Sequence, residues 1–269
     1  MKPLPVHVVL PDTQVKPGVR VDHLRWIGQY IVDRFAGQDN VKIVHLGDHA
    51  HMDSLSSYDR GRKSMEGRRY RADIASANAG WDTLCAPMDA YNAERRKYKE
   101  RQWNPPRWVL LGNHEDRISR ASEMDAQNDA YSLEDLNYKA HGWTVVPFLH
   151  VLQLDGVAYS HYFYNPGNGR PYSGMAETRL RAIGHSFTMG HQQGLQTAQR
   201  SFLGRRQRAL IAGSCYLHDE DYRGPQAADE WRGILICHEV AEGNYDLMEV
   251  SLDYLCRRYT GKSLAAFRG

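Results

Sequence analysis

Cysteine is scarce in this chain of 269 residues: Cys85, Cys215, Cys237 and Cys256 stand far apart, with no paired spacing. That excludes a disulfide framework and a zinc cluster and fits reduced, buried thiols. Long apolar runs are missing too. The longest are of strand length, such as Val8-Val9-Leu10 and Trp108-Val109-Leu110-Leu111, far short of the ~18 residues of a membrane span. Charge of one sign is not in excess, with 34 Lys+Arg against 32 Asp+Glu and a formal net charge of +2. A strongly electrostatic partner for the whole surface is thereby excluded, though a local basic patch is not. At the N-terminus Pro3, Pro5 and His7 break up any signal-peptide core, and Asp12 follows at once. A cytoplasmic protein without membrane contact is expected. Repeats and low-complexity segments are absent.

What is present is the composition of an ordinary globular protein, 42% apolar, 25% charged and 10% aromatic. Such a chain is long enough to bury ~70–75% of its unfolded surface. A strand is predicted at Val6–Leu10, a helix over 22–36 and a second strand at Val41–Leu46. Leu24, Ile27, Ile31 and Phe35 supply the helical spacing. This strand–helix–strand unit predicts a partly parallel sheet. A polar stretch over 49–69, a helix over 70–99 and a strand at Trp108–Leu111 follow, and Ser132 with Asp135 has capping-box spacing. The second half reads as short β-runs (143–146, 151–154, 157–160, 186–189, 208–212, 234–238, 247–251) interrupted by one helix over 175–183. No linker separates the halves. The chain is expected to be one domain over 1–269, with a basic loop and helical insertion at about 50–105.

Polar clusters sit directly after the predicted strands: Asp12 and Gln14, Asp48, Asn113-His114-Glu115-Asp116, His161, and His191-Gln192-Gln193. Ligands of open α/β sheets bind at the carboxyl ends of strands. A lone Asp after a strand is usually a turn residue, and a lone buried His is usually a core residue. Five such clusters in order are harder to assign to turns.

In these motifs the sequence resembles the calcineurin-like metallophosphoesterases. The family pattern of Asp-x-His, Gly-Asp, Gly-Asn-His-Glu, a lone His and Gly-His-x-His stands here as Asp12-Thr13-Gln14, Gly47-Asp48, Gly112-Asn113-His114-Glu115, His161 and Gly190-His191-Gln192-Gln193. Ser54–Asp59 and Gly213-Ser214-Cys215-Tyr216 add a weaker similarity to bacteriophage-encoded members, which implies residence in a host cytoplasm. The resemblance implies an α/β fold of two mixed β-sheets packed as a sandwich and flanked by helices. It also implies a site for one or two divalent metal ions. Asp48 would bridge both ions, one completed by Asn113, His161 and His191 and the other by Asp12, Gln14 and Gln193. In the family the last two positions are histidines, and both replacements fall on the same ion. An amide oxygen is a harder and weaker donor than imidazole, so Mn²⁺ or Mg²⁺ is expected over Zn²⁺. His114 would lie beside the phosphate as proton donor to the leaving oxygen, with Glu115 or Asp116 either orienting it or capping the next helix.

The expected activity is that of a metal-dependent phosphoric ester hydrolase, a nuclease or phosphodiesterase acting on DNA or RNA. A small-nucleotide phosphohydrolase, or a metal-binding module that has lost turnover, are the alternatives. The phosphoprotein phosphatases of the family carry an arginine after Gly-Asp that grips phosphate. Here the stretch is Gly47-Asp48-His49-Ala50-His51-Met52-Asp53, which argues against that role and leaves His49 and His51 as candidate substitutes. Residues 60–71 hold six basic side chains, among them Arg60, Arg62, Arg68 and Arg69, directly after the second motif. Further basic runs lie at 94–101 and 200–208, with Tyr70, Tyr98 and Phe202 among them. Basic side chains with interleaved aromatics suit a nucleic-acid backbone and unstacked bases, and they equally suit solvated helix faces. The acidic residues Asp219-Glu220-Asp221 and Asp229-Glu230 either keep nucleic acid off the remaining surface or form a lid with Tyr216, His218 and Tyr222. The sequence gives no reading of oligomeric state.

Overall fold

A computed structural model describes residues 2–124, 130–220 and 230–269. The first half holds β1 (Val6–Leu10), α1 (Asp22–Phe35), β2 (Val41–His45), α2 (Tyr70–Lys97), β3 (Arg107–Leu110), α3 (Asp116–Met124) and β4 (Thr144–Val146). The second holds β5 (Leu152–Leu154), β6 (Val157–Ser160), the two-residue strands β7 (Tyr164–Asn165) and β8 (Arg170–Pro171), α4 (Ala176–Ile183), β9 (Phe187–Met189), β10 (Leu195–Phe202) and β11 (Arg205–Ala212). It ends in β12 (Gly233–Ala241), β13 (Asn244–Ser251), α5 (Leu252–Thr260) and α6 (Leu264–Arg268).

Two mixed sheets result. One has six strands in the order β13-β12-β1-β2-β3-β4, and the other has five in the order β10-β11-β9-β6-β5. Strands β1 to β4 run parallel; β12 pairs antiparallel with β1, and β13 antiparallel with β12. In the second sheet β6, β9 and β11 run parallel, flanked by antiparallel β5 and β10.

Side-chain alternation along the strands builds the layers. Val6, Val8 and Leu10 of β1, with Ile43, Ile234 and Ile236, face α1, α2 and α5. Val9, Val44, Leu235 and Cys237 face the other way and meet Tyr159, Leu210 and Ala212 of the second sheet. The far face of that sheet is covered by α4 through Leu180, packed on Phe187 and Ile211. The expected sandwich of two mixed sheets flanked by helices is therefore what the chain forms. All four cysteines are buried and unpaired. Among the described residues no helix is long and apolar enough to cross a membrane.

Several elements differ from expectation. Ser132 does cap a turn, its Oγ accepting from the Glu134 N–H at 3.2 Å, but the turn is a 3₁₀ piece, Leu133–Leu136. Asp135 is drawn off to accept the Tyr70 hydroxyl at 2.7 Å, so no capping box closes. The last third is not sheet alone, because α5 and α6 close the helical layer. Asp221, Tyr222 and Asp229 lie outside the described residues, as does the side chain of Phe202.

One buried group of α1 makes stability depend on pH. His23 donates to the Cys215 carbonyl at 3.0 Å, and burial pushes its pKa down to about 3. In the unfolded chain it titrates at 6.5. Between these values the unfolded state takes up a proton that the folded state refuses. Stability is whole above pH 6.5 and is lost as pH falls toward 3, by up to ~1.4 kcal/mol per pH unit. Melting temperature measured against pH should decline over that window. The decline should be shallower in His23→Gln, which keeps a donor for the carbonyl and carries no titration; an unchanged slope would assign the effect elsewhere.

Candidate metal centre

The parallel strands β1, β2 and β3 end at one edge of the first sheet, and β6 and β9 end at the facing edge of the second. Their following loops run side by side. Gln14 N–H donates to the Asp48 carbonyl (2.9 Å), Val15 N–H to the His49 carbonyl (2.7 Å) and Gly190 N–H to the His161 carbonyl (3.1 Å). Topology thus gathers residues 12–14, 48, 113–114, 161 and 191–193 from five segments. Gln14, Asp48, His191 and Gln193 all hold left-handed backbone, with φ of 46°, 49°, 68° and 60°. Non-glycine residues adopt that conformation at a cost, and such positions concentrate at functional sites.

Asp48, His161 and His191 bring one ligand atom each within 4.8 Å of one another. His161 donates its Nδ1–H to the Leu46 carbonyl (2.8 Å) and so aims Nε2 at Asp48 Oδ2 (3.2 Å) and Asn113 Oδ1 (3.0 Å). An imidazole nitrogen and two oxygens converging in this way call for a positive charge among them. A proton on Nε2 or a metal ion meets that demand. These three residues can hold a metal ion, and Asn113 adds an amide oxygen beside them.

The electrostatics of the site agree. Burial would lower His161, but the Asp48 charge and hydrogen bond and the Asp12 charge outweigh it and lift it to about 9. Burial would likewise raise Asp48, yet His114 and His161 hold its carboxyl well below the usual carboxylate range. Asp12 is pushed up to about 8, by burial first and the Asp48 charge as well. Its carboxylate accepts the His191 N–H at 3.0 and 3.2 Å.

His114 repeats the device of His161. Its Nδ1–H donates to the His51 carbonyl (2.7 Å), which leaves Nε2 on the side of Asp48 Oδ2, 3.7 Å away. Glu115 settles the two readings of its own role. Fully buried, it accepts from the N–H groups of Asp48 (2.9 Å), Ala50 (2.8 Å) and Gly112 (2.9 Å). It therefore ties the second motif to the third, away from solvent, and also accepts the Tyr138 hydroxyl (3.3 Å). Asp116 opens α3 and pairs with Arg120.

Two glycines are demanded by close approach. A Cβ on Gly112 would stand 2.1 Å from Asp48 Oδ1, and one on Gly190 would stand 2.3 Å from Asp12 Oδ1. Gly190→Ala should cost about 1–3 kcal/mol of stability through overpacking. By displacing Asp12 against the His191 loop it should also weaken metal binding by roughly 10–100-fold. Thermal melts and Mn²⁺ titration would show both, and native values in both would mean that the loop yields freely.

The centre borders a cavity of about 610 Å³ lined by Asp48, His51, Asn113, His114, Arg117, His191 and Gln193, and by Asp53, Ser56, Tyr58, Asp59 and Arg62. Of the substrate candidates, His51 and Arg62 line it. Arg68 stands behind, paired with Asp53 and Asp59 (3.5 and 3.4 Å). Arg60 and Arg69 point outward to solvent. His49 is not brought to the cavity. It has no exposed surface, its nitrogens meet Thr13 Oγ1 (2.7 Å) and the Ala77 carbonyl (2.9 Å), and its ring packs on Trp81. Sequence reasoning missed Arg117, which donates to the His51 carbonyl (2.9 Å). The available signal was its position three residues after His114, in the first turn of α3.

The other basic runs are elsewhere. Residues 94–101 precede β3 and so lie at the opposite sheet edge, beside a cavity of about 700 Å³ where Arg95 pairs with Glu100 and Arg101 with Asp39. The β10–β11 turn is also at the far end, since β11 runs parallel to β9. Of the acidic residues, Asp219 binds Arg232 and Arg268 (2.8 and 2.5 Å), and Glu220 binds Lys16 and His218 (2.9 and 2.6 Å). Compared with models of known protein families and with curated proteins, the chain matches none.

Proposed function

We propose that the chain is a metal-dependent phosphoric ester hydrolase of the calcineurin-like kind, cleaving phosphodiester bonds with nucleic acid as substrate class. The observation that carries this reading is the convergence of Asp48, His161 and His191, with His114 beside them, at a cavity that Asp48, His114 and His191 line together with Arg62 and Arg117 as well as Asp53 and Asp59. A divalent cation held by those residues would supply charge neutralisation for a phosphate oxygen and activation of a water, and Mn²⁺ or Mg²⁺ would be preferred over Zn²⁺ only where the amide oxygens of Gln14 and Gln193 join the shell. The chain's own groups do the rest. Arg117, and Arg62 on exchanging its contact with Asp59 (3.5 Å), attract and orient the phosphate. His114, once protonated at Nε2 beside the bound phosphate, hands that proton to the leaving oxygen. Exposed Tyr58 offers a stacking face for a base.

A metal-binding module without turnover is the second reading. Gln14 and Gln193 favour it, because they weaken the half of the site that histidines would fill. The discriminating experiment is hydrolysis of a nitrophenyl phosphodiester and the corresponding monoester with Mn²⁺, Mg²⁺, Zn²⁺ or chelator. Diester turnover that depends on Mn²⁺ supports the proposal. Monoester turnover alone would make the protein a phosphatase. Metal binding without turnover of either would make it the module.

A further inference from the structure

Both glutamines of the site have their amide oxygens engaged in hydrogen bonds. Gln14 Oε1 is in hydrogen-bond contact with His51 Nδ1, and its Nε2–H donates toward Asp48 Oδ2 at 3.4 Å. This orientation is fixed by charge, since the reverse would set the amide oxygen against a carboxylate. Gln193 Oε1 accepts the Tyr216 hydroxyl at 2.7 Å. Tyr216 is itself clamped, with Arg232 over one side of the ring (4.7 Å) and His218 stacked on it (4.7 Å, 29° between planes). His51 is held from its other nitrogen by Asp53 (2.8 Å). The donors on the two glutamines are thus built into a wider network and are not swinging side chains. A second cation sharing Asp48 would need oxygen lone pairs from this side. Asp12 offers a carboxylate there, accepting the His191 N–H (3.0 and 3.2 Å), but the two amides that would complete the shell present an N–H and two oxygens already engaged.

We propose that this chain binds a single divalent cation, on Asp48, Asn113, His161 and His191, and that the Gln14 side of Asp48 is closed by internal hydrogen bonds from His51 and Tyr216. The inference rests on the metal-dependent reading above and deepens it. One cation neutralises less charge than two. The remaining positive charge for a bound phosphate would come from Arg117 and from Arg62, which share the cavity lining with Asp53 and Asp59. The retained donors, two imidazole nitrogens and two oxygens, suit Mn²⁺ better than Mg²⁺.

The test is Mn²⁺ stoichiometry by calorimetry and by electron paramagnetic resonance, on the native chain, on the double variant Gln14→His/Gln193→His and on Tyr216→Phe. About one Mn²⁺ per native chain is expected, with the spectrum of an isolated ion. The double variant should take up a second ion and show a spin-coupled pair. Tyr216→Phe, which removes one cap and leaves all ligands, should admit a second ion more weakly. Two coupled ions on the native chain would overturn the single-ion proposal and leave the hydrolase reading standing. No bound ion would overturn both. A double variant that stays folded and still binds one ion would remove the glutamines as the cause.

Discussion

Asp48→Asn is expected to lower diester turnover by roughly 10²–10⁴-fold, equivalent to the several kcal/mol that a metal centre contributes. The substitution changes charge and almost nothing in volume. Asp48 is buried, and its Oδ1 accepts the His114 N–H at 2.9 Å, a bond that asparagine keeps. Its Oδ2 faces donors from His161 (3.2 Å) and Gln14 (3.4 Å), with the His114 ring 3.7 Å away. Placing an amide NH₂ there sets donor against donor and removes the anion around which the site is arranged. Mn²⁺ affinity should fall with turnover. A reading independent of activity comes from His161. Its pKa of about 9 depends on the Asp48 charge. With asparagine at 48, burial dominates, and the imidazole should titrate at or below its ordinary 6.5 in the metal-free protein. Proton NMR of the histidine ring would record this. A folded variant with native Mn²⁺ affinity and an unmoved His161 would show that the centre is not built on Asp48.

Much of this site is legible in sequence because its residues follow strands whose apolar runs end abruptly. Val6–Leu10 is stopped by Pro11-Asp12, and Val157–Ser160 leads straight into His161; both strands have the predicted bounds. Other elements lack that contrast. β10, with the sequence Leu-Gln-Thr-Ala-Gln-Arg-Ser-Phe, is an edge strand. α5 buries only Leu252, Leu255 and Cys256, too few for a helical period to stand out. α3 buries Ile118 alone, and so Arg117 went unread.

His49 shows a different limit. A polar residue in a loop reads as solvent-facing, and only the packing of Trp81 and Tyr138, from distant segments, turns it inward. The glutamines show a third. Their presence and the loss of imidazole are plain in the sequence. Which donors stand opposite them is decided by His51 and Tyr216, placed there by loops that no periodicity describes.

His114→Gln is expected to separate proton donation from positioning. Burial pushes the His114 pKa down to about 3, against the opposing pull of Asp48. At neutral pH the resting ring therefore carries one proton, on Nδ1, committed to the His51 carbonyl. To act as a general acid it must gain a second proton at Nε2, and an anionic phosphate beside it raises its basicity in the direction required. The demand for that proton depends on the leaving group. A nitrophenolate departs without help, whereas a ribose alkoxide does not. Loss of His114 should slow hydrolysis of an alkyl or nucleotide diester by roughly 10²–10⁴-fold. With a nitrophenyl diester the loss should be about tenfold or less, because only the orienting contact is gone. Mn²⁺ binding should persist in the variant, since His114 is not among the three converging ligands. Equal losses with both leaving groups would make His114 a positioning residue and would leave the proton to come from solvent or from Arg117's neighbourhood. A slowing confined to the poor leaving group ties this one imidazole to the bond that breaks.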